Sequence, residues 1–559
     1  MQEAPAQATG GVFDGYPDKP TAGAAWDEMV QPDGGVRVPA RAVHRAMAAM
    51  SPDDLRSRSD SLAATFLDRG VTFDLAGEER PFPIDVVPRV IAAAEWAEVE
   101  RGVRQRVRVL ERFLADVYGP MHAVADRVIP RHVVTSSSHF HREAAGVEPA
   151  NGVRVHVSGI DLVRDEQGRF RVLEDNVRVP SGVSYVLENR RAMTQAFPDL
   201  FASMRVRPVS DYPERLLAAL QTAAPAGVDD PTVVVLTPGV YNSAYFEHAL
   251  LARSMGVELV EGRDLVCSGN RVRMLTTEGE RRVDVVYRRV DDEYLDPMQF
   301  RSDSMLGCAG LLNAARAGSV TIANAVGNGV ADDKLVYTYL PDLTRYYLGE
   351  EPVLANVDTW RCEEPDHLQE VLDRLDELVV KPVDGSGGKG IVIGPQASRP
   401  QLDALRERLR ADPRGWIAQP VVALSTVPTL VGEELAPRHV DLRPFAVHDG
   451  EDVWVLPGGL TRVALGEATL VVNSSQGGGS KDTWVVSDRA GRESTEVASG
   501  RASTEVQLVP SSPPDAGPAG SGRKAQQEQQ QQHHEHEQHH AQHHGQQHEQ
   551  HGPAGGGRP

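Results

Sequence analysis

The sequence predicts a multidomain protein of mixed α+β and α/β class, and three stretches of the chain support this prediction. A long amphipathic pattern between Val90 and Tyr118 predicts a helix. Apolar alternation followed by a tight turn predicts two neighbouring strands between Val153 and Asn176. A glycine-rich segment, residues 379–394, separates two short apolar runs and predicts a strand–loop–strand hairpin. The length of 559 residues allows roughly three to four domains.

Composition disfavours several classes of function. The formal net charge is −21 at pH 7, and an acidic surface disfavours both nucleic acid and anionic membrane as partners. The three cysteines are far apart in the chain, so neither a disulfide framework nor a thiolate metal site is predicted. The residues Met1 to Gly10 lack the pattern of a signal peptide, and no stretch approaches 18 uninterrupted apolar residues. We therefore expect a soluble, cytoplasmic protein.

The N-terminal part of the chain divides into an irregular leader, residues 1–45, and a helical region, residues 46–135. The leader is rich in Gly, Pro, Asp and Ala. In the helical region, apolar residues recur at steps of three and four until Gly119-Pro120 ends the pattern. The apolar positions that define this helix are Trp96, Val99, Val103, Val107, Leu110, Leu114 and Val117.

Residues 136–207 carry acidic and amide side chains on two predicted strands. Asp161 lies on the first strand, and Glu174 and Asn176 lie two apart on the second, so the latter two share a face. Two carboxylates and an amide oxygen suit Mg²⁺, which prefers hard oxygen ligands. The alternative interpretation is an acidic strand edge exposed to water.

Two shorter motifs flank these strands. The polar turn from Arg178 to Gly182 is suited to present a cation and backbone amides to an anionic substrate. Upstream, His139 and His141 have a spacing that can bind a metal, but no third ligand stands at a telling distance, and an ordinary polar strand end is the alternative.

Residues 208–320 predict a small α/β domain. A strand at 232–236, a helix at 244–254 and a strand at 257–260 follow one another, and a buried strand with a cationic end follows at 285–289. Arg289 at that end has two interpretations: it binds a substrate carboxylate, or it forms a local ion pair with one of the acidic residues at 291 and 292.

The glycine-rich hairpin lies in residues 321–487 and has the composition of a phosphate-binding loop. Glycines lack Cβ atoms, so successive backbone N–H groups can converge on an anion, and Lys381 and Lys389 add positive charge. Only six lysines occur in the chain, and four of them fall between residues 334 and 481. A flexible glycine hairpin without a ligand is the alternative.

The end of the chain contains further strands and a tail. An alternating strand at 439–447 places Asp441 and Arg443 on one face, and a polar glycine-rich stretch precedes Lys481. The tail, residues 488–559, is rich in Gln and His and cannot bury a core, so it is predicted to be disordered.

Taken together, these motifs resemble the circularly permuted type 2 branch of the ATP-grasp superfamily, which is related to glutathionylspermidine synthetase-like ligases. The resemblance extends over roughly residues 25–487. In the ordinary fold a Glu-x-Asn strand follows the Asp-x-Arg strand, whereas here the only suitable pair, Glu174 and Asn176, lies far upstream of Asp441 and Arg443. This order is what a permutation of the domain produces.

The resemblance implies ATP and Mg²⁺ as cofactors and assigns roles residue by residue. Lys334 and Lys381 would hold the α- and β-phosphates, and Gln419 would lie beside the adenine. Arg443 and Arg462 would stabilise the transferring phosphate, while Arg178 and Ser181 would orient the acceptor carboxylate. The implied metal ligands are Asp161, Glu174 and Asn176, and the implied phosphate loop comprises Gly385, Ser386, Gly387, Gly388, Lys389 and Gly390.

The resemblance also implies an activity: an ATP- and Mg²⁺-dependent carboxylate–amine ligase that forms an amide bond through an acyl phosphate. Its substrates would be a small-molecule or peptide carboxylate and an amine. The alternatives are a non-catalytic nucleotide-binding scaffold, working with protein partners from the same operon, and an ATP-dependent phosphotransferase. The sequence assigns neither the two substrates nor the oligomeric state.

Overall fold

The computed structural model describes residues 11–16, 25–75, 78–385, 390–466, 472 and 478–486. The helices, numbered in chain order, are α1 (Arg41–Ala48), α2 (Pro52–Asp68), α3 (Ala93–Val117), α4 (His122–Ala125), α5 (Arg131–Thr135), α6 (Val183–Ala196), α7 (Pro198–Met204), α8 (Tyr212–Thr222), α9 (Tyr245–Met255), α10 (Asp292–Leu295), α11 (Leu311–Arg316), α12 (Lys334–Tyr337), α13 (Leu340–Leu348), α14 (Pro365–Asp373) and α15 (Arg399–Ala411). Within these ranges no helix combines the length and the apolar character needed to cross a bilayer.

The strands run between the helices and form several small sheets. They are β1 (Thr72–Leu75), β2 (Glu78–Pro81), β3 (Arg89–Ala92), β4 (Val157–Arg164), β5 (Phe170–Asn176), β6 (Val233–Leu236), β7 (Glu258–Val260), β8 (Leu265–Ser268), β9 (Arg271–Thr276), β10 (Gly279–Arg282), β11 (Val285–Arg288), β12 (Thr321–Ala323), β13 (Trp360–Arg361), β14 (Leu378–Pro382), β15 (Val392–Ile393), β16 (Trp416–Pro420), β17 (Thr426–Val431), β18 (Glu434–His439), β19 (Phe445–His448), β20 (Val453–Val455), β21 (Thr461–Val463), β22 (Gly479–Lys481) and β23 (Thr483–Val486). The mixed α and β class expected from the sequence is confirmed.

The amphipathic helix is α3, and it begins three residues later than the sequence pattern predicts. Its apolar stripe is buried, as the fully inaccessible side chains of Trp96, Val103 and Leu110 show. The preceding residues, Arg89–Ala92, instead form β3, which pairs in parallel with β23. Backbone hydrogen bonding to a strand from the far end of the chain thus overrides the helical periodicity at this end.

A four-stranded antiparallel sheet of order β20-β19-β4-β5 carries the predicted acidic strands. Asp161 on β4 stands opposite Glu174 on β5, and Gly159 stands opposite Asn176, so the predicted strand pair is confirmed. All residues of β4 are buried, which fixes its register between neighbours on both sides. Because β19 pairs with β4, the chain near residue 445 lies directly beside the chain near residue 160.

The predicted small α/β domain contains a parallel sheet of order β12-β11-β6-β7. Strand β7 lies on one side of β6, and β11 and β12 lie on the other side. The order of the strands along the chain therefore reverses at β6, which makes the space between β6 and β11 a topological switch point. In open α/β sheets, ligands bind in the crevice at the carboxyl ends of strands at such a switch point. Strand β12 (Thr321–Ala323) belongs to this sheet. The sheet therefore extends just beyond residue 320, which the sequence analysis gave as the end of this domain.

The predicted glycine hairpin belongs to a third sheet, of order β13-β16-β14-β15. Val379 on β14 stands opposite Ile393 on β15, which confirms a strand–loop–strand arrangement. The helices α14 and α15 cover this sheet with a separate apolar cluster that includes Val371 and Leu405. The loop residues 386–389 lie outside the described part of the chain.

The described part of the leader packs against the strands of the C-terminal half. The backbone N–H of Glu28 donates to the carbonyl of Thr426. The Glu28 carboxylate forms a buried bidentate pair with Arg89, and Arg89 Nη1 also donates to the carbonyl oxygen of Asp441, 2.8 Å away. Within the described residues of the predicted leader, Glu28 therefore connects this segment through hydrogen bonds to the strands around Asp441. The tail prediction, residues 488–559, lies outside the described residues.

Candidate functional site

A cavity of about 400 Å³ lies where the acidic strand pair, the hairpin strand β14 and the beginning of α9 meet. Residues from widely separated parts of the chain line it. The sequence-predicted residues that it brings together are Asp161, Glu174, Asn176, Arg178, Ser181, Lys334, Lys381, Gly385, Gln419, Arg443 and Arg462. Gly390 is exposed, with a φ of +73° that favours glycine. The remaining predicted loop residues, Ser386, Gly387, Gly388 and Lys389, lie outside the described residues.

The metal-ligand set proposed from the sequence is only partly available in this structure. Glu174 and Asn176 face the cavity from β5, and the Glu174 carboxylate forms ion pairs of 3.6 Å with Lys334 and 3.8 Å with Arg443. The buried Asn176 Nδ2 has no hydrogen-bond partner among the described residues. A carboxylate and an amide oxygen at this edge fit Mg²⁺. The carboxylate of Asp161, in contrast, accepts hydrogen bonds from two arginines.

These two arginines form a compact buried cluster with two aspartates. Arg443 donates from Nε and Nη2 to the two oxygens of Asp161 at 2.5 and 2.8 Å, and Arg462 Nη2 donates to Asp161 Oδ2 at 2.6 Å. Arg462 also forms a bidentate pair with Asp441, at 3.0 and 2.9 Å from its Nε. Paired forks of this kind fix both the position and the orientation of a guanidinium group.

The electrostatics of this cluster favour its charged form. Burial alone would raise the pKa of Asp161, but the guanidinium groups of Arg443 and Arg462 hold that pKa below its ordinary value. Burial would lower the pKa of Arg462, yet its aspartate partners hold that pKa well above its ordinary value. The pKa of Asp441 is raised, chiefly by burial. The cavity therefore presents preoriented cations next to carboxylates.

Two lysines line the neighbouring wall. Lys334, at the start of α12, lies near Glu174 and donates to the carbonyl oxygen of Gly385, which joins it to the start of the glycine loop. Lys381, on β14, donates to Gln419 Oε1 at 2.6 Å. Burial, and secondarily the charge of Lys334, lower the pKa of Lys381 to about 8, with Glu174 opposing the shift. A buried cation with a neutral hydrogen-bond partner is suited to gain an anionic ligand.

For the nucleotide that the sequence predicts as the ligand, the affinity is expected to fall as pH rises from 7 to 9. Lys381 is mostly protonated below pH 8 and mostly neutral above it, so its attraction for phosphate is present at pH 7 and lost at pH 9. The affinity should fall about tenfold over this range, in proportion to the protonated fraction. Calorimetric titration with ATP at each pH measures this change.

The control for this pH dependence is Lys381→Arg, because the guanidinium group stays protonated throughout the range. Its affinity profile should follow only the ionisation of the nucleotide itself and should therefore be nearly flat. An equally steep decline in Lys381→Arg and in the wild-type protein would show that another group controls the pH dependence.

The opposite wall of the cavity is apolar and suited to a flat aromatic base. Val163 and Leu424 belong to a small buried cluster against which Leu173, Val422 and Val472 pack, and all five line the cavity. Gln419 was predicted to lie beside adenine, and it does line the cavity on β16. Its side chain bridges Lys381 and Thr359, at 2.6 and 2.9 Å, so in this structure it positions the lysine.

The predicted acceptor residues lie at the other end of the cavity. Arg178 is 3.2 Å from Asp291 and 4.0 Å from Asp332, so this cation is held between carboxylates. The carbonyl oxygen of Ser181 accepts a hydrogen bond of 3.2 Å from Arg443, which links this turn to the arginine cluster. The turn therefore contacts both ends of the candidate site.

Three functional candidates at this end were missed or differently interpreted from sequence. Buried Glu247, on α9, accepts hydrogen bonds from the backbone N–H groups of Gly182 and Ser184 and forms an ion pair with Arg289. Arg289 also donates to the carbonyl oxygen of Pro180. No local sequence signal marks Glu247, because its partners lie on other elements.

Asp332 is the third candidate that the sequence did not single out. It lines the cavity, and its Oδ1 accepts a hydrogen bond of 2.7 Å from the backbone N–H of Val177. Burial raises its pKa to about 7, with the charge of Arg178 opposing the shift. Its position two residues before Lys334 was the one available signal.

The histidine pair does not form a common site. His139 lines the cavity, whereas the ring of His141 packs edge-on against Phe300 and lies 4.0 Å from Asp292. Across the ranges that the structure describes, no group of three or more His, Cys, Asp or Glu side chains is arranged to hold a metal ion. Asp161, Glu174 and Asn176 do not form such a group, because only two of the three side chains are carboxylates and the third is an amide.

Comparison with known proteins agrees with this geometry. Several relatives align over most of the chain: a protein of Mycobacterium leprae, named as uncharacterized, is 60% identical over 516 residues, which cover 92% of this chain and 91% of the relative. A protein of Synechocystis, also named as uncharacterized, is 51% identical and covers 83% of this chain and 97% of the relative. A Frankia alni protein provisionally named as a glutamate–cysteine ligase is 48% identical over 83% of this chain but only 54% of its own length.

A solved structure and a family model complete the comparison. A glutathione synthetase-like effector from Globodera pallida superposes with a TM-score of 0.50 at 11% identity, covering 78% of this chain and 98% of that chain, which shows a shared fold. The family model described as circularly permuted ATP-grasp type 2 matches residues 88–464. These residues include the acidic strand pair, the hairpin and both arginines of the cluster. The chain belongs to the circularly permuted ATP-grasp type 2 family.

Proposed function

We propose that this protein is an ATP- and Mg²⁺-dependent carboxylate–amine ligase that forms an amide bond through an acyl phosphate. One observation carries the proposal: two lysines and two arginines line the same cavity as the oxygen ligands Glu174 and Asn176. Phosphoryl transfer requires positioning and charge neutralisation more than a covalent nucleophile on the protein. Membership of the ATP-grasp family supports the same class of reaction.

The proposed reaction has two steps. A carboxylate oxygen of the first substrate attacks the γ-phosphorus of ATP, and ADP leaves as the bond to its β-phosphate oxygen breaks. The nitrogen of the amine then attacks the acyl carbon, inorganic phosphate leaves, and the amine loses a proton to solvent. In this scheme Lys334 and Lys381 neutralise the phosphates, and Arg443 and Arg462 face the oxygens of the transferring group. Mg²⁺ at Glu174 and Asn176 would supply further charge neutralisation.

The acceptor would enter from the end that contains Arg178 and Ser181. This end adjoins Ser243 and Glu247 at the beginning of α9, which follows β6 at the switch point of the parallel sheet. A small-molecule or peptide carboxylate fits a crevice that is flanked by one arginine and several polar groups. The name of the Frankia relative makes amino acids and short γ-glutamyl peptides the first pool to test, and ATP as substrate is consistent with a cytoplasmic location.

The proposal is tested by ADP release with Mg²⁺ and pooled amino acids, polyamines and peptides. We expect acceptor-dependent ADP release, and a decrease of about 100-fold in Glu174→Gln, which would replace a charged carboxylate ligand of Mg²⁺ by a neutral amide. The matched control is Glu166→Gln, an exposed residue in the turn of the same strand pair, which should retain full turnover.

Mass spectrometry of the product distinguishes the competing functions. An amide product supports the ligase. A phosphorylated acceptor would show a phosphotransferase, and nucleotide binding without turnover in every pool would favour a non-catalytic scaffold. An absence of nucleotide binding would contradict the assignment of the cavity.

A further inference from the structure

The side chain of Asp161 is saturated by contacts within the protein. Only 1% of it is exposed, and its two oxygens accept three hydrogen bonds of 2.5 to 2.8 Å from Arg443 and Arg462. The arginine side chains are 12% exposed, and both line the cavity. The carboxylate that the sequence analysis assigned to the metal therefore has its oxygens occupied by cations.

The same N–H groups cannot serve two anions at once. A guanidinium fork that binds a carboxylate in a bidentate manner has the geometry that it would use for a phosphate. Arg443 directs its Nε and Nη2 at Asp161, and Arg462 divides its donors between Asp161 and Asp441. Asp161 therefore competes with an incoming phosphate group for the same N–H donors of Arg443 and Arg462.

We propose that Asp161 is a positioning residue that holds Arg443 and Arg462 in the nucleotide-free protein and yields them to the phosphates of an incoming nucleotide. Only after this exchange are the oxygens of Asp161 available to a divalent cation. The site therefore binds nucleotide before the metal or together with it, and does not bind the metal first. This inference rests on the proposed function in one respect, that the ligand of the cavity is a nucleotide.

The first test measures the binding of a non-hydrolysable ATP analogue in EDTA, where a role of Asp161 as metal ligand cannot contribute. Asp161→Asn should bind the analogue about tenfold more tightly than the wild-type protein, because the competing carboxylate is gone. The matched control is Glu166→Gln, which removes an exposed carboxylate in the turn of the same strand pair, outside the lining of the cavity. Its affinity should change less than about threefold.

Unchanged or weaker binding by Asp161→Asn in EDTA overturns the inference. Equal gains in Asp161→Asn and Glu166→Gln also overturn it, because a general charge effect would then explain both. If the wild-type protein fails to bind the analogue both in EDTA and with Mg²⁺, the proposed function itself fails, which is a separate outcome.

A second test is independent of the folding of Asp161→Asn, whose two arginines lose a buried partner. Mn²⁺ binding is measured by electron paramagnetic resonance without nucleotide, in the wild-type protein and in Arg443→Met. Removing Arg443 frees Oδ1 of Asp161, opposite Glu174, while Oδ2 still accepts a hydrogen bond from Arg462, and should tighten Mn²⁺ binding about tenfold. Mn²⁺ binding to the wild-type protein as tight as to Arg443→Met would overturn the inference.

Discussion

Arg443→Met is expected to lower kcat for acceptor-dependent ADP formation by about 100- to 1000-fold. The guanidinium group lies between Asp161 and the turn at Ser181, with its charge 3.8 Å from Glu174. In the proposed reaction it faces charge that develops as the phosphoryl group is transferred, so its loss should act mainly on the transition state. Steady-state kinetics of ADP release at saturating ATP measures the effect.

The division of the effect between kcat and KM makes this prediction specific. A loss confined to the KM for ATP, with kcat unchanged, would show that Arg443 contributes only to ground-state binding and would contradict the proposed role. The control is Arg410→Met, an exposed arginine of α15 whose partner is Glu407, three residues away in the same helix. This variant should retain wild-type kcat, because its ion pair is exposed and no residue of α15 lines the cavity.

Glu28→Gln is expected to lower the free energy of unfolding by about 3 kcal/mol, since breaking a buried ion pair leaves an uncompensated charge. Arg89 and Glu28 are 0% and 2% exposed and form a bidentate pair at 2.8 and 2.6 Å. Glu28 also accepts a hydrogen bond of 2.6 Å from Ser425. Urea unfolding followed by tryptophan fluorescence measures the change. A loss below about 1 kcal/mol would show that the pair contributes no more than a surface ion pair.

The difference in the free energy of unfolding between the wild-type protein and Glu28→Gln should depend on pH. This dependence tests whether the ionised carboxylate of Glu28 causes the difference. Burial would raise the pKa of Glu28, but Arg164 and Arg89 outweigh burial and lower the pKa from 4.5 to about 2. The stabilisation is therefore complete above pH 4.5 and is lost as pH falls towards 2, so the difference between the two proteins should narrow by more than half at pH 3. The control Arg410→Ala removes an exposed ion pair with Glu407 and should cost at most about 1 kcal/mol at any pH.

Local patterns in the sequence were sufficient for the strands and the helix that build the site. Asp161 and Glu174 were expected on adjacent strands, and they stand opposite each other in the register of β4 and β5. The hairpin around the glycine loop is likewise present as β14 and β15. These predictions succeeded because alternation, turn residues and glycine content are properties of a few neighbouring residues. The start of α3 was predicted three residues too early, because the pairing of Val90 with Trp484 depends on a strand almost 400 residues away.

The sequence by itself determined the residue types of this site, the permuted order of its motifs and the faces on which Glu174 and Asn176 lie. The tertiary structure alone decided which of these side chains are free to meet a ligand. Asp161 and Arg443 are 282 residues apart, and their contact exists only because β19 pairs with β4. The physical reason is that a carboxylate has a small number of oxygen lone pairs, and whether a metal or a guanidinium group takes them depends on what the fold places within 3 Å.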